Sequence, residues 1–291
     1  MHSLINLHIP PGQLVSVNNS CQLHIFCKGN ASPTVVMTSG FGSPSAYTDF
    51  YPLMNELYDS IRVCAYDRAG YGWSSNGVFP VTIDKTVENL HRLLINAGEQ
   101  PPYLLSAHSV GSLEMLHFAT KYPDEVAAII LIDGISPKSY KNLDTAKPLK
   151  ILKNINRNRG LFKLAANIGL LKDIRERKKY LPAAIFKADK ELLLNNFAND
   201  AMIEMTKAVK QDAETVRQQI NIKNIPLLII TAKETLTDKR FNFTNWGDDQ
   251  QYLLSLSNKS KQVFLKSSHT IIMLEKANEI AKEIKAFIKI L

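Results

Sequence analysis

The sequence predicts an α/β fold: an open, mostly parallel sheet with helices on both faces and a helical block inserted after the sixth strand. Three observations carry this. Short apolar runs alternate with helix-length stretches from residue 11 to residue 136. That rhythm stops between 137 and 220, where no strand signal is left, and then resumes. Finally, Ala107-His108-Ser109-Val110-Gly111 lies between an apolar run and a helical pattern. A small residue two before and two after a serine, between strand and helix, marks a turn tight enough to raise the hydroxyl clear of the sheet.

Taken in order, residues 13–17 and 22–27 read as strands, joined at Asn18-Asn19 as a tight hairpin. A strand at 34–38 leads to a helix over 46–58, a strand at 61–66 to a helix over 82–97, and a strand at 103–108 to a helix over 109–121. Residues 126–132 form the most apolar strand, which stops at Asp133. Helix-length connections imply parallel pairing with right-handed crossovers. The Lys-, Asn- and Ala-rich block carries helical patterns near 161–180, 181–195 and 201–219. Strands at 226–231 and 262–266 and a closing helix at 278–290 complete the chain. The expected division is a core of residues 1–136 and 221–291, with residues 137–220 as a helical lid.

A chain of 291 residues can bury a large core. No apolar run approaches the roughly 20 residues of a membrane span. Met1 to Asn6 show no basic n-region and no signal-peptide core, which favours a cytoplasmic location. Three cysteines (Cys21, Cys27, Cys64) are too few for a disulfide scaffold, and all lie on or beside strands, so buried thiols are the default. A Cys27–Cys64 bridge requires their strands to be neighbours. No Cys/His spacing resembles a metal site. Residues 137–220 hold 18 Lys and Arg against 9 Asp and Glu, and the rest of the chain 17 against 18, so the whole positive excess sits in the inserted block. Such a face suits weak association with an anionic membrane surface, or merely a solvated helical face. No nucleic-acid motif accompanies the charge, so nucleic acid is not an expected partner.

In an open parallel sheet, ligands bind beyond the carboxyl ends of the strands. There Ser109 is the candidate nucleophile, with Val110 N–H as one oxyanion donor. After the third strand, Gly40 and Gly42 flank Phe41 and let its N–H turn inward as the second donor. Asp67 and Arg68, after the fourth strand, read as groups that bind backbone. Seven histidines compete as base. His2 and His8 lie in an N-terminal arm, His24 on a strand, and His91 and His117 inside helices. His108 adjoins the serine and points away from it as a wall residue. His269, after the last strand, is placed to reach Ser109. For the acid, Asp133 at the end of the sixth strand is preferred, with Glu234 and Asp238 after the seventh as alternatives.

Together these stretches resemble the α/β-hydrolase superfamily, and more closely its bacterial serine hydrolases with a Tyr-Asp-Arg-Ala-Gly-Tyr-Gly-Trp-Ser signature, present at Tyr66 to Ser74. Pro11 to Val15, the Ser39–Gly42 loop, Ala97-Gly98, Tyr122 to Val126 and Ser267 to His269 extend the likeness across both α/β parts and leave out most of the lid. The resemblance implies an eight-stranded, mostly parallel sheet in the order 1-2-4-3-5-6-7-8, with Cys27 and Cys64 on adjacent strands and no cofactor. It implies an acid either after strand six, as Asp133, or after strand seven, where this chain has Thr235. Ala107 and Ser112 depart from the glycines usual at those positions, and Ser112 could tighten helix–strand packing. The elbow has no Asp, which argues against dehalogenase and epoxide hydrolase chemistry.

The expected activity is therefore that of a cofactor-independent serine hydrolase, carboxylesterase-like, acting on a small-molecule ester through Ser109, His269 and Asp133. Leu161, Phe162, Leu164, Ile168 and Leu170 either line an acyl site or pack the lid onto the core. Alternatives are an aminopeptidase-like amide hydrolase, which needs an acidic cluster in the lid, and a slow-turnover binding protein on the same fold.

Overall fold

The computed structural model describes residues 9–77, 82–141, 143–239 and 244–291. Eight strands form one sheet: β1 (Gln13–Asn18), β2 (Cys21–Lys28), β3 (Thr34–Thr38), β4 (Val63–Asp67), β5 (Tyr103–His108), β6 (Val126–Ile132), β7 (Leu227–Ala232) and β8 (Ser260–Leu265). Their order is β1-β2-β4-β3-β5-β6-β7-β8. β2 runs antiparallel to β1 and β4, and every other pairing is parallel.

Central strands covered on both faces need apolar residues at every position rather than at alternate ones. β3, β4, β5 and β7 are buried throughout. The pleat sends neighbours to opposite sides. Leu105 and Leu131 pack with Leu90 and Phe118 on one face, while Leu104 and Ile130 pack with Phe50, Leu57 and Ile284 on the other. Two cores thus clamp the sheet and hold its carboxyl edge rigid.

Several local expectations shift. The hairpin turns at Asn19-Ser20, because Asn18 still pairs with Cys21 and its side chain accepts from Ser20 N. The helix expected over 46–58 is two short helices, Ala46–Asp49 and Tyr51–Leu57, split at Phe50. Pro52 has no N–H to donate one turn back, so the first helix cannot run on. Among the described residues the inserted block holds a short 3-10 helix, Pro137–Tyr140, and five α-helices: Ala146–Arg157, Arg159–Asn167, Lys172–Arg177, Ala183–Asn196 and Asp200–Gln219. The stretch expected as one helix over 161–180 breaks at Gly169, whose φ of +78° is left-handed. A further helix, Trp246–Leu254, lies between β7 and β8.

Cys27 and Cys64 face each other in the β2–β4 register and form a disulfide, so two of the three expected thiols are bonded; Cys21 is free and buried. Among the described residues no helix is long and apolar enough to cross a membrane.

Candidate active site

β5 ends at His108, and the next residue, Ser109, adopts a left-handed φ of +55° before the helix Gly111–Lys121 begins. A non-glycine residue in that region costs on the order of 1–3 kcal/mol and persists only where its surroundings hold it. Here Ser109 O accepts from Ser112 N at 3.1 Å and Ile135 N at 3.2 Å. The Ser112 hydroxyl sits 2.8 Å from Ser109 O and 2.5 Å from Ile135 O, tying the turn to the loop after β6. The serine in place of a usual glycine thus adds a bond. The turn is tight because Gly111 lies on β3: a Cβ there would stand 2.8 Å from Thr38 Cγ2 and 3.0 Å from Ser39 O.

His269 follows β8 and is almost wholly buried. Its Nδ1 lies 2.8 Å from Asp133 Oδ2 and its Nε2 lies 2.8 Å from Ser109 Oγ. A carboxylate only accepts, so Nδ1 carries the proton, and Nε2 is left to accept from the serine hydroxyl. Asp133 is fully buried at φ +46°. Its Oδ1 accepts from Ala232 N at 3.0 Å and Trp246 Nε1 at 3.2 Å, and Thr235 Oγ1 donates to Oδ2 at 2.7 Å. The Trp246 ring also meets the His269 ring edge-on at 5.2 Å. The other two candidate acids lie elsewhere: Glu234 is exposed on the short helix Lys233–Thr237, and Asp238 caps that helix.

His108 forms a wall of the site. Its Nε2 donates to His269 O at 2.9 Å, and the two rings are 4.6 Å apart. Burial, reinforced by the neighbouring His269, holds its pKa well below the usual histidine range, so it is neutral at pH 7. Gly40 runs directly beneath: a Cβ there would lie 2.9 Å from Ser109 Cβ and 3.0 Å from His108 Nδ1. Phe41 and Gly42 follow at the cavity wall, and Val110 caps the elbow helix. Arg68 anchors the loop before them, donating to Ser39 O at 2.6 Å and Thr38 Oγ1 at 2.9 Å and pairing with Glu114 of the elbow helix at 3.3 Å. Asp67 accepts from Ala46 N at 2.7 Å and faces His24 Nδ1 at 2.8 Å. His2 and His8 lie outside the described residues.

Ser109 and His269 open onto a cavity of about 520 Å³ roofed by the inserted helices. Its apolar lining includes Phe162, Leu170, Leu193, Phe197, Ile271 and Met273. Of the five residues of the inserted block expected at that lining or against the core, Phe162 and Leu170 take part in the lining, whereas Leu161, Leu164 and Ile168 neither line the cavity nor pack on the core. The helix is rotated so that Phe162 and Ala166 face inward.

One charged group of the cavity wall has no local sequence signal. Arg177 is a single cation in a basic block, yet it is buried, bonds both oxygens of Asp189 and lies 2.7 Å from Asp49 Oδ1. Burial works against its charge, but Asp189 and Asp49 together keep it firmly protonated. Burial pushes the Asp49 carboxyl up despite that neighbour. Among the described residues, the one group of potential metal ligands close enough to share an ion is Cys27, Cys64 and Glu99, and both sulfurs are held in the disulfide.

Residues 33–158 match a family described as alpha/beta hydrolase fold. The uncharacterized protein YbdG of Bacillus subtilis is 28% identical over 200 residues, which is 68% of this chain and 56% of that protein. This chain therefore spans little more than half the length of that relative. The bromoperoxidase of Bacillus anthracis superposes with a TM-score of 0.72 at 18% identity, over 95% of this chain and 99% of that one. The esterase of Exiguobacterium antarcticum does so with a TM-score of 0.72 at 13% identity, over 96% and 99%. Strand order, parallel crossovers, the sharp bend at Ser109 and these likenesses agree: the chain has the α/β-hydrolase fold.

Proposed function

We propose that the protein is a serine hydrolase that cleaves small-molecule carboxylic esters through an acyl-enzyme. The observation that carries this reading is the unbroken run of short hydrogen bonds from Asp133 through His269 to Ser109 at the floor of a cavity. Ser109 Oγ attacks the acyl carbonyl carbon while His269 Nε2 takes its proton. The same proton then goes to the departing alkoxide as the ester C–O bond breaks. Water attacks the acyl-enzyme in turn, giving a proton to His269, and the acid product leaves as Ser109 regains its hydrogen. Asp133 keeps His269 in the required tautomer and stabilises the imidazolium. The N–H groups of Phe41 and Val110 receive the oxyanion, each worth about 2.7–4 kcal/mol in such sites. Arg68 positions that loop through Ser39 O. The chemistry needs no cofactor.

Residues 137–220 act in this reading as a lid that selects the substrate. The apolar lining favours an apolar acyl or alcohol group. Cleavage of an amide beside a free amine would want an unpaired carboxylate in the lid. Asp189 is engaged by Arg177, which also holds Asp49, and this weighs towards esters.

A fluorophosphonate probe tests the proposal. Wild type should be labelled on Ser109, and Ser109→Ala should lose both labelling and p-nitrophenyl ester cleavage while keeping its melting temperature. Folded wild-type protein that resists the probe at neutral pH would point to a binding protein instead, and ester cleavage retained by Ser109→Ala would remove the nucleophile assignment.

A further inference from the structure

The helix Arg159–Asn167 turns an apolar stripe to solvent. Leu161, Leu164 and Ile168 follow one another at helical spacing and are 68%, 57% and 65% exposed. Leu170 beyond the helix and Ile151 on the adjacent helix Ala146–Arg157 are exposed as well. Single exposed apolar side chains are ordinary; a stripe of them on one element marks a surface that something covers.

The charge around the stripe indicates what covers it. Residues 146–179 contain 11 Lys and Arg against two acids. Lys147, Lys150, Lys153 and Arg157, on the helix that carries Ile151, are exposed and form no ion pair among the described residues. Lys172, Arg175 and Lys178 are exposed beyond Leu170. Exposed apolar residues flanked along the chain by exposed cations without ion pairs match the headgroup–acyl boundary of an anionic bilayer. A symmetric contact between two copies through this face would press two strongly basic segments together, which is unfavourable. The patch is also continuous with the cavity, since Leu170 and Lys172 belong to both.

We propose that this face docks the protein on an anionic lipid bilayer. Leu161, Leu164 and Ile168 enter the interface, and the surrounding lysines and arginines meet the lipid phosphates. The mouth of the cavity then opens at the membrane surface, where an acyl chain can pass from lipid towards Ser109. That last consequence rests on the proposed role of Ser109; docking itself does not.

Vesicle flotation tests it, comparing phosphatidylglycerol–phosphatidylcholine vesicles with phosphatidylcholine alone. Wild type and Ser109→Ala should bind the anionic vesicles equally, and binding should fall as salt is raised. Lys147→Gln with Lys150→Gln should weaken partitioning by about tenfold or more. Leu164→Gln with Ile168→Gln should weaken it by about tenfold or more, with hydrolysis of a soluble short-chain ester unchanged. No binding to anionic vesicles at low salt, or equal binding to neutral ones, overturns docking. So does a dimer, seen by sedimentation, that the apolar variants dissolve while vesicle binding is absent. Fluorophosphonate labelling without vesicle binding would sink docking alone; vesicle binding without labelling would sink the hydrolase reading alone.

Discussion

Thr235 Oγ1 donates to Asp133 Oδ2 at 2.7 Å, and the same oxygen lies 2.8 Å from His269 Nδ1. The loop after β7, one of two places from which an acid was expected, instead supplies a hydroxyl that holds the carboxylate arriving from β6. Ala232 N and Trp246 Nε1 occupy the other oxygen. Asp133 is thus fully buried with a donor on every side, the condition for keeping such a group in place.

Asp133→Asn should lower kcat by up to about 10⁴, because an amide in that place can donate to His269 and favour the wrong tautomer. Steady-state kinetics on a p-nitrophenyl ester, run beside Glu234→Gln and Asp238→Asn, checks this. The two control variants should stay near wild type; a collapse in either with Asp133→Asn active would move the acid to the later loop.

Thr235→Val keeps the shape and removes one donor to Asp133. A hydrogen bond to a charged group contributes about 1.5–3 kcal/mol, so kcat should fall by roughly tenfold to a hundredfold. KM should change little, since Thr235 does not line the cavity. An unchanged kcat would show that the remaining donors suffice.

Gly40→Ala places a methyl 2.9 Å from Ser109 Cβ, and neither backbone can yield easily. Displacing a nucleophile by a fraction of an ångström to one ångström can cost up to about a hundredfold in rate. The expected result is a clear drop in kcat with the far-UV circular dichroism of wild type. Wild-type kinetics would mean that the loop moves aside freely.

Burial pushes the Glu114 carboxyl up to about 8 even with the Arg68 guanidinium 3.3 Å away, so desolvation outweighs that contact. Between the ordinary carboxylate pKa and that value, the folded chain holds a proton that the unfolded chain has released. Stability is therefore highest below the ordinary value and declines as pH rises through this window. Glu114→Gln removes that decline, so Tm should fall less between about pH 5 and about pH 8 than in wild type. Equal pH dependence in the two proteins would contradict it.

Much of this protein was legible locally. Mostly apolar runs mark strands buried on both faces, which is why the limits of β3, β5 and β6 were read directly from the chain. The bend at Ser109 was legible because its steric demand falls on Ala107 and Gly111, two residues either side. Periodicity could not say which stripe of the helix Arg159–Asn167 faces inward, because that helix is apolar on more than one side. The sequence preferred Asp133 to Glu234 and Asp238 from position alone, with no contact to decide among them, and it could not find partners for Arg177. Those outcomes depend on contacts between residues far apart in the chain: Thr235 reaches Asp133 across 102 positions and His269 reaches it across 136. Backbone pattern and steric size act on neighbours and can be read in order. Which oxygen meets which nitrogen is settled only when the sheet order sets β6, β7 and β8 side by side.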